Sequence, residues 1–207
     1  MVETGNKSLL IIFVKNLNSG KVKTRLAKTL GDKKALQIYQ EMLQKIKETI
    51  QYLPFEKAVF YSDEIVEDDI WDSGSYKKFV QEGKNIGERM QNAIEQAYND
   101  GYDKISLIGS DCYQITSSIV MDSFRLLNDY NVVLGPSQDG GYYLIAMTGL
   151  YNGLFEGKDW STDKVLNQTK SDLEGYDIKH TFVAELNDID DEEDLKQVAP
   201  ELFEKYK

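Results

Sequence analysis

The chain has 207 residues, of which 41% are hydrophobic and 29% charged, a composition typical of a folded protein with a substantial core. Its 35 acidic and 24 basic residues give a formal net charge of -11, so we expect no nucleic-acid partner, because most of the surface would repel a phosphate polymer. No apolar stretch approaches the ~20 residues of a membrane-spanning helix, and no secretory leader is evident. We therefore expect a single cytoplasmic domain over residues 1–207.

The first half of the chain alternates between strand and helix patterns. Residues 9–14 form a continuous apolar run that predicts a buried strand, and a turn-forming segment over 16–20 follows it. Over 32–53 apolar residues recur at helical spacing, which predicts a helix with Asp32 as its N-cap. The further elements predicted in this half are strands at 57–61 and 76–80 and a helix from Ile86 to about Gly101.

The second half continues this alternation and adds an antiparallel strand. Strands are predicted at 104–108 and 131–134, with a helix over 115–128 between them that Thr116 or Ser117 would cap. The strand at 142–147 follows its predecessor too soon for a crossover helix, so it should run antiparallel to its neighbours. The remaining predictions are a short helix near Leu154, a helix from Ser161 to about Leu173, a strand at 178–184 and a helix from Asp191. The pattern predicts a three-layer α/β/α domain with a mainly parallel, mixed sheet and a ligand at the carboxyl ends of its strands.

Positive charge is concentrated near the N-terminus. No acidic residue occurs between Glu3 and Asp32, although basic residues are frequent there. A basic loop at the end of a strand can present backbone N–H groups and cations to phosphate, and a patch this small suits a mononucleotide better than a duplex. A solvated loop is the alternative, and neither a Walker sequence nor Gly-x-Gly-x-x-Gly is present. The residues predicted to bind the nucleotide here are Lys15, Gly20, Lys21, Lys23, Thr24 and Arg25.

Three segments, 15–25, 109–111 and 135–143, begin where a predicted strand ends and should converge on one edge of the sheet. Two of them supply carboxylates, Asp111 and Asp139. Carboxylates that face phosphates need a cation between them, and Mg2+ or Mn2+ bound through both would supply it. Taken alone, Asp111 could cap a short turn and Asp139 could belong to a hairpin turn. Their neighbours Ser110, Gly140, Gly141 and Tyr142 are predicted to contact the substrate.

Four further residues are candidates for substrate binding. Gln81 and Arg89, near the start of the helix at 86, could bind a base and an anion, although other polar strand-to-helix loops have the same pattern. Trp160 could stack on a sugar or base, or pack in the core, and Ser161 could bind substrate or cap the helix predicted to begin there.

Two other groups of reactive residues are interpreted as structural. Cys112 and His180 are the only cysteine and histidine, so neither a Cys/His nucleophilic pair nor a zinc site is supported. The acidic run over 188–194 precedes helical periodicity, so helix capping and the helix dipole explain it more simply than metal binding.

Five motifs, in order, carry a family resemblance: residues 20–26 (GKVKTRL), 87–90 (GERM), 109–112 (GSDC), 135–143 (GPSQDGGYY) and 160–162 (WST). The chain resembles the DUF2064 family over about residues 8–195. Members of that family are described as glycosyltransferases associated with arsenosugar biosynthesis and are similar to cofactor guanylyltransferases and molybdenum-cofactor nucleotidyltransferases.

The resemblance implies a GT-A fold, the architecture of nucleotide-diphospho-sugar transferases. It implies that Lys23 and Arg25 hold the nucleotide phosphates, that Asp111 binds the metal ion, and that Asp139 is a second metal or substrate carboxylate. Tyr113 stands where the family usually has proline.

Three functions remain open from the sequence. The first is a metal-dependent glycosyltransferase, in which Lys23, Arg25 and a metal ion on Asp111 stabilise the departing nucleotide while a small-molecule acceptor attacks the sugar of a nucleotide sugar. The second is a nucleotidyltransferase that uses the same residues on a nucleoside triphosphate and releases pyrophosphate. The third is a non-catalytic module that binds nucleotide sugars.

Overall fold

The computed structural model describes residues 7–151 and 153–207, and within these ranges seven strands form one sheet in the order β3-β2-β1-β4-β6-β5-β7. The strands are β1 (Ser8–Val14), β2 (Glu56–Tyr61), β3 (Lys77–Val80), β4 (Lys104–Gly109), β5 (Val132–Pro136), β6 (Tyr142–Met147) and β7 (His180–Phe182). The helices described are α1 (Thr24–Leu30), α2 (Asp32–Ile50), α3 (Ile86–Asn99), α4 (Ser117–Leu126), α5 (Val165–Gly175), α6 (Glu192–Val198) and α7 (Pro200–Tyr206).

The sheet is mixed and mainly parallel, as predicted. Among its paired strands only β6 runs antiparallel, and it lies between β4 and β5. The central strand β1 pairs with β2 and β4, so both of its edges are bonded and both of its faces are covered. This position explains its continuous apolar sequence, since a strand buried on both faces has no solvent side that would carry polar residues.

Helices cover both faces of the sheet. Leu10 and Ile12 of β1 pack on one side, and Ile11 and Phe13 pack on the other. The first side is covered by α1, α2, α4, α6 and α7, through residues that include Leu26, Ile38, Val120, Leu195 and Leu202. The second side is covered by α3 and α5, through residues that include Met90 and Leu173. None of the helices in the described residues is both long and apolar enough to cross a bilayer.

One predicted helix is wrong and another begins later than predicted, and backbone conformation explains both. The segment around Leu154 forms turns, because Gly153 and Gly157 have positive φ angles of 84° and 62° that an α-helix cannot contain. The helix predicted from Ser161 begins at Val165 instead, because Ser161 itself has φ 65°. Ser161 therefore belongs to a loop and does not cap α5.

Several predicted boundaries of helices and strands also differ from those in the structure. Asp32 is the first residue of α2 rather than its cap, which is Gly31. The strand predicted at 178–184 is confined to β7. The C-terminal helix is two helices, because Pro200 begins a new one. Thr116 and Asp191 do cap α4 and α6, the second through a complete capping box.

Candidate active site

The ends of β1 and β4 and the β5–β6 hairpin meet at one edge of the sheet, as predicted. With the segment before α5 they surround an open cavity of ≈ 610 Å³, a volume in the range expected of ligand pockets. The predicted residues that line it are Lys15, Lys21, Lys23, Thr24, Arg25, Asp111, Asp139, Gly141, Tyr142, Trp160 and Ser161. An adjoining cavity of about 210 Å³ shares some of this lining and adds Gln81 and Ser110.

Lys23 lies inside the protein, with a side chain only 3% exposed. It is the N-cap of α1 and has a left-handed backbone, with φ 47°. Its Nζ lies 2.5 Å from Asp111 Oδ1 and donates a hydrogen bond to the carbonyl oxygen of Ile189 at 2.5 Å. In this structure Lys23 therefore neutralises Asp111, whereas the sequence predicted a direct phosphate ligand.

Asp111 is held in its ionised form. Burial disfavours the charged carboxylate, but the positive charges of Lys23 and Lys15 outweigh that effect and hold the pKa of Asp111 below its ordinary value. Its Oδ1 is buried against Lys23, while 33% of the side chain remains exposed. This arrangement leaves Oδ2 as the oxygen that a ligand can reach.

The other basic residues of this edge are on the surface. Gly20 has φ 78° in the turn that precedes them, a conformation that favours glycine. Lys15 and Lys21 are exposed. The Arg25 side chain is 70% exposed, and its guanidinium lies 3.4 Å from Asp190. These three cations can meet phosphate without any rearrangement of the core.

Asp139 lies in the tight turn between β5 and β6. Its Oδ1 accepts hydrogen bonds from Ser137 Oγ and from the Gly141 backbone N–H, the second at 2.9 Å. Gly140 has φ 84°, and a Cβ atom there would collide with the backbone of Asp163. The hairpin interpretation is therefore correct, and one Asp139 oxygen stabilises the turn while the residue lines the large cavity.

A segment near the C-terminus completes the site, and its role there was not predicted from the sequence. Residues 186–190, which we name the crossing segment, contact all three predicted segments. The Ile189 N–H donates to the Asp111 carbonyl at 3.1 Å, and the Ile189 carbonyl accepts from Lys23. Leu186 bonds to the β5–β6 hairpin through the carbonyl of Pro136 and the N–H of Gln138.

The crossing segment brings a third carboxylate, Asp188, into the smaller cavity beside Asp111. Burial, followed by the negative charges of Asp111 and Asp139, raises the pKa of Asp188 to about 7. Its Oδ1 is buried and has no hydrogen-bond partner among the described residues. The capping interpretation is correct for Asp191. Asp188, however, lies before the cap and soon after β7, and this position at the end of a strand is the sequence feature that could have indicated a place in the site.

Among residues 7–151 and 153–207, no three carboxylate, imidazole or thiol side chains come together as a ready metal site. Mg2+ is usually held by one or two carboxylates, with phosphate oxygens and water completing its coordination. Asp111 and Asp188 fit that donor set, since they adjoin one cavity and Asp188 Oδ1 has no hydrogen-bond partner in the part of the chain that the structure describes. Asp139 fits less well because its Oδ1 is already bonded within the turn.

The amide of Gln81 is committed to the fold. Its Nε2 donates to the carbonyls of Phe60 in β2 and Val14 in β1 at 2.9 and 3.2 Å, which ties the end of β3 to both of these strands. Arg89 donates to the carbonyl of Gly83 at 3.2 Å and to Gln81 Oε1 at 3.4 Å. The predicted base-binding amide therefore has its donors already in use.

Trp160 lies against the start of α3. A Cβ atom on Gly87 would collide with the Trp160 indole, so the absence of a side chain on Gly87 permits this packing. The indole also lines the large cavity with Ile86 and Met90. The two interpretations of Trp160, packing and ligand contact, are therefore compatible.

Tyr113, at the position of the family's usual proline, bonds to the C-terminal helix. Its hydroxyl donates to Glu201 Oε1 of α7 at 2.9 Å. This contact connects the loop that carries Asp111 to an element far along the chain.

A family described as "Uncharacterized protein conserved in bacteria (DUF2064)" matches residues 45–162, more than half of the chain. The chain belongs to the DUF2064 family. This match confirms the resemblance drawn from the five motifs.

Two proteins named 2-phospho-L-lactate guanylyltransferase are similar to this DUF2064 chain along most of its length. The protein of Methanocaldococcus vulcanius is 28% identical over 196 residues, which are 92% of this chain and 83% of that protein. The protein of Methanocaldococcus fervens is 28% identical over 192 residues, or 91% and 83% of the two chains.

Solved structures show the same architecture. A protein of Desulfovibrio desulfuricans G20, assigned to the nucleotide-diphospho-sugar transferases, superposes with a TM-score of 0.85 and 26% identity over 96% of this chain and 97% of that one. A cytidylyltransferase of Leptospira borgpetersenii gives a TM-score of 0.58 and 17% identity over 87% and 76%, a likeness of fold alone. The DUF2064 chain thus has the nucleotide-diphospho-sugar transferase fold, and it is a transferase.

Proposed function

We propose that this protein transfers a nucleotidyl group from a nucleoside triphosphate to a phosphate-bearing small molecule, with Mg2+ or Mn2+ as cofactor. An acceptor oxygen attacks the α-phosphorus, the bond from that phosphorus to the bridging oxygen breaks, and pyrophosphate leaves with the electron pair. The observation that carries the proposal is an ionised Asp111, held by Lys23, in a cavity that also presents Lys15, Lys21 and Arg25.

The basic residues have two separate roles in this proposal. Lys15, Lys21 and Arg25 are exposed and would contact the β- and γ-phosphates, where negative charge accumulates as pyrophosphate departs. Lys23 would act through Asp111 by keeping it ionised and fixed in position. The reaction uses free nucleotides, which agrees with the cytoplasmic location predicted from the sequence.

Asp111 and Asp188 would hold the divalent ion, whose chemistry is to neutralise phosphate charge during the transfer. Asp188 is the better second ligand on this geometry, because its buried Oδ1 has no hydrogen-bond partner within residues 7–151 and 153–207, whereas Asp139 Oδ1 has two. Asp139 would instead shape the turn at the edge of the substrate cavity.

Nucleotidyl transfer is favoured over glycosyl transfer by the guanylyltransferase name of relatives that match over 92% and 91% of the chain. Glycosyl transfer from a nucleotide sugar is the second candidate. It is favoured by the likeness to the Desulfovibrio protein, which has 26% identity over nearly the whole chain.

A thermal-shift panel separates the two candidates. The protein is heated with GTP, CTP, UDP-sugars and GDP-sugars, each with and without Mn2+, and pyrophosphate release is then measured with a panel of phosphorylated acceptors. We expect stabilisation by a triphosphate with Mn2+ and release of pyrophosphate. Stabilisation by a sugar nucleotide and by none of the triphosphates would reject nucleotidyl transfer in favour of glycosyl transfer.

The assignment of Asp111 has its own test. Asp111→Asn removes the negative charge while keeping the shape of the side chain, so we expect loss of the Mn2+-dependent part of nucleotide binding, measured by calorimetry. Asp122→Asn is the matched control, because Asp122 lies on the exposed side of α4 and pairs only with Arg125 among the described residues. Equal Mn2+ dependence in Asp111→Asn and the wild-type chain would contradict the assignment.

A further inference from the structure

Tyr39 of α2 touches two of the site segments with a single oxygen atom. The side chain is fully buried, at 0% exposure. Its hydroxyl accepts a hydrogen bond from the backbone N–H of Lys15 at 2.8 Å and lies 2.7 Å from Ser110 Oγ. Lys15 begins the basic segment after β1, and Ser110 precedes Asp111 after β4. The Tyr39 hydroxyl therefore links the basic segment after β1 to the loop that carries Asp111.

The direction of the second hydrogen bond follows from counting protons. The Tyr39 oxygen already accepts from Lys15, and its own proton needs an acceptor because the hydroxyl is buried. Ser110 Oγ is the acceptor within reach. When Tyr39 donates to Ser110, the Ser110 proton is left to donate elsewhere, and Ser110 lines the smaller cavity beside Asp111.

We propose that Tyr39 is a positioning residue, which fixes the spacing between Lys15 and Ser110 and orients the Ser110 hydroxyl as a hydrogen-bond donor toward the bound nucleotide. The inference deepens the proposed function and rests on it for the identity of the ligand. The link between Lys15 and Ser110 is seen in the two hydrogen bonds and does not depend on which ligand is bound.

Burial and the nearby charge of Asp111 keep the Tyr39 phenol protonated, which this role requires. Burial, followed by the negative charge of Asp111, raises the pKa of Tyr39 above its ordinary value. The hydroxyl therefore keeps its proton at every pH at which the protein would be assayed.

Amide hydrogen exchange of the free protein tests the spacing. In Tyr39→Phe the Lys15 N–H loses its acceptor, so we expect its exchange to accelerate about tenfold or more, with faster exchange around Ser110 as well. Tyr102→Phe is the matched control, because Tyr102 is 1% exposed and its hydroxyl bonds at 2.6 Å to Glu56, which begins β2 at the opposite end of the sheet from Lys15 and Ser110. Unchanged exchange at Lys15 in folded Tyr39→Phe would overturn the proposal, whatever the chain's activity.

Nucleotide affinity tests the orientation of Ser110. We expect Tyr39→Phe and Ser110→Ala each to weaken binding of Mn2+ with GTP or CTP, whichever binds the wild-type chain, by about fivefold to tenfold. The double variant should be no weaker than the more damaging single variant, since both remove one hydrogen-bond chain. Ser110→Ala should leave exchange at Lys15 unchanged. Additive losses would show that the two residues act separately and would overturn the orientation.

The two experiments distinguish this inference from the proposed function. Faster exchange at Lys15 in Tyr39→Phe, together with a wild-type chain that releases no pyrophosphate, would reject nucleotidyl transfer and support the structural link. Pyrophosphate release by the wild-type chain, with equal triphosphate affinity and kcat in Tyr39→Phe, would support the function and reject the positioning role.

Discussion

Lys23 and Asp111 form an ion pair whose lysine side is buried and whose aspartate side faces the cavity. A lysine in this position stabilises the protein as well as the charge of its partner. Its loss leaves Asp111 Oδ1 without its ion-pair partner and the Ile189 carbonyl without its hydrogen-bond donor. Lys23 should therefore behave differently on mutation from the surface lysines near it in sequence.

The corresponding prediction concerns Lys23→Met, which keeps the length of the side chain and removes its charge. We expect the free energy of unfolding to fall by about 2 kcal/mol, because buried acceptors lose their donor. We also expect the pKa of Asp111 to rise, measured by NMR titration. Lys28→Met, at an exposed position of α1, is the control and should change stability by less than about 0.5 kcal/mol. Equal stability of the two variants would contradict the buried role of Lys23.

Asp188 predicts a dependence of stability on pH in the metal-free protein. Its pKa of about 7 lies above the value of an unfolded aspartate, so the folded state binds the extra proton between about pH 4 and pH 7. The resulting stability is fully present below that window and is lost as the pH rises through it.

We expect the titration of Asp188 to lower the free energy of unfolding by roughly 2 to 4 kcal/mol between about pH 4 and pH 7. It is measured as the difference between the wild-type chain and Asp188→Asn, in chelator, by denaturant unfolding at several pH values. The asparagine variant lacks the titrating group, so its advantage over the wild-type chain should grow with pH. A constant difference from pH 4 to pH 8 would show that the pKa of Asp188 is not raised.

At the scale of elements, the contact between α3 and the loop before α5 depends on Gly87. Gly87→Ala places a methyl group where the Trp160 indole lies, so we expect the indole to be displaced and its fluorescence emission to shift to longer wavelength. We also expect a loss of about 1 to 3 kcal/mol of stability from the overpacking. Gly175→Ala is the matched control, since Gly175 is a glycine of α5 with open space around it. An unshifted emission spectrum in Gly87→Ala would contradict the contact.

The elements that the sequence predicts correctly are those whose signal is local. β1 is a continuous apolar run, and α2 repeats its apolar residues at helical spacing, so both could be assigned without knowledge of their neighbours. The convergence of the three site segments also follows from the alternation of strands and helices. The helix predicted from Ser161 begins at Val165 instead, because Ser161 has a left-handed backbone conformation that a serine does not signal in the sequence.

The site contacts that sequence reasoning missed are distant along the chain. Lys23 is buried because it meets a carbonyl 166 positions later, at Ile189. Asp188 joins Asp111 because the crossing segment returns to the edge of β4, and its sequence alone is equally consistent with a helix cap. Neither the burial of a basic residue nor the return of a distant segment leaves a local pattern in the sequence.

At the scale of the whole molecule, the C-terminal helices support the site from outside it. α7 packs on the core through Leu202, which is 5% exposed, and bonds to α2 through Lys205 and Glu41 at 2.5 Å. It also receives the hydroxyl of Tyr113 from the Asp111 loop. Loosening α7 should therefore disturb the loop that carries Asp111 as well as lower stability.

The corresponding variant is Leu202→Ala. We expect the free energy of unfolding to fall by about 2 to 4 kcal/mol, as for other buried leucines, and Mn2+-dependent nucleotide binding to weaken. Leu150→Ala is the control, because Leu150 is 36% exposed and its truncation should cost less than about 1 kcal/mol. Unfolding by denaturant and calorimetric titration of the folded protein provide the two measurements. Unaltered nucleotide binding by a destabilised Leu202→Ala variant would show that α7 does not influence the site.

The crossing segment is synthesised long after the two other segments that it bonds to at Lys23 and Asp111, so the site is completed late during translation. Lys23 and Asp111 leave the ribosome long before Ile189, whose N–H and carbonyl bond to both of them. A growing polypeptide that has not yet reached position 189 lacks these two bonds, and a product shortened by a premature stop codon before that position lacks them permanently. We therefore expect competence to bind nucleotide only after the crossing segment has been synthesised, rather than when the basic residues of 15–25 first emerge.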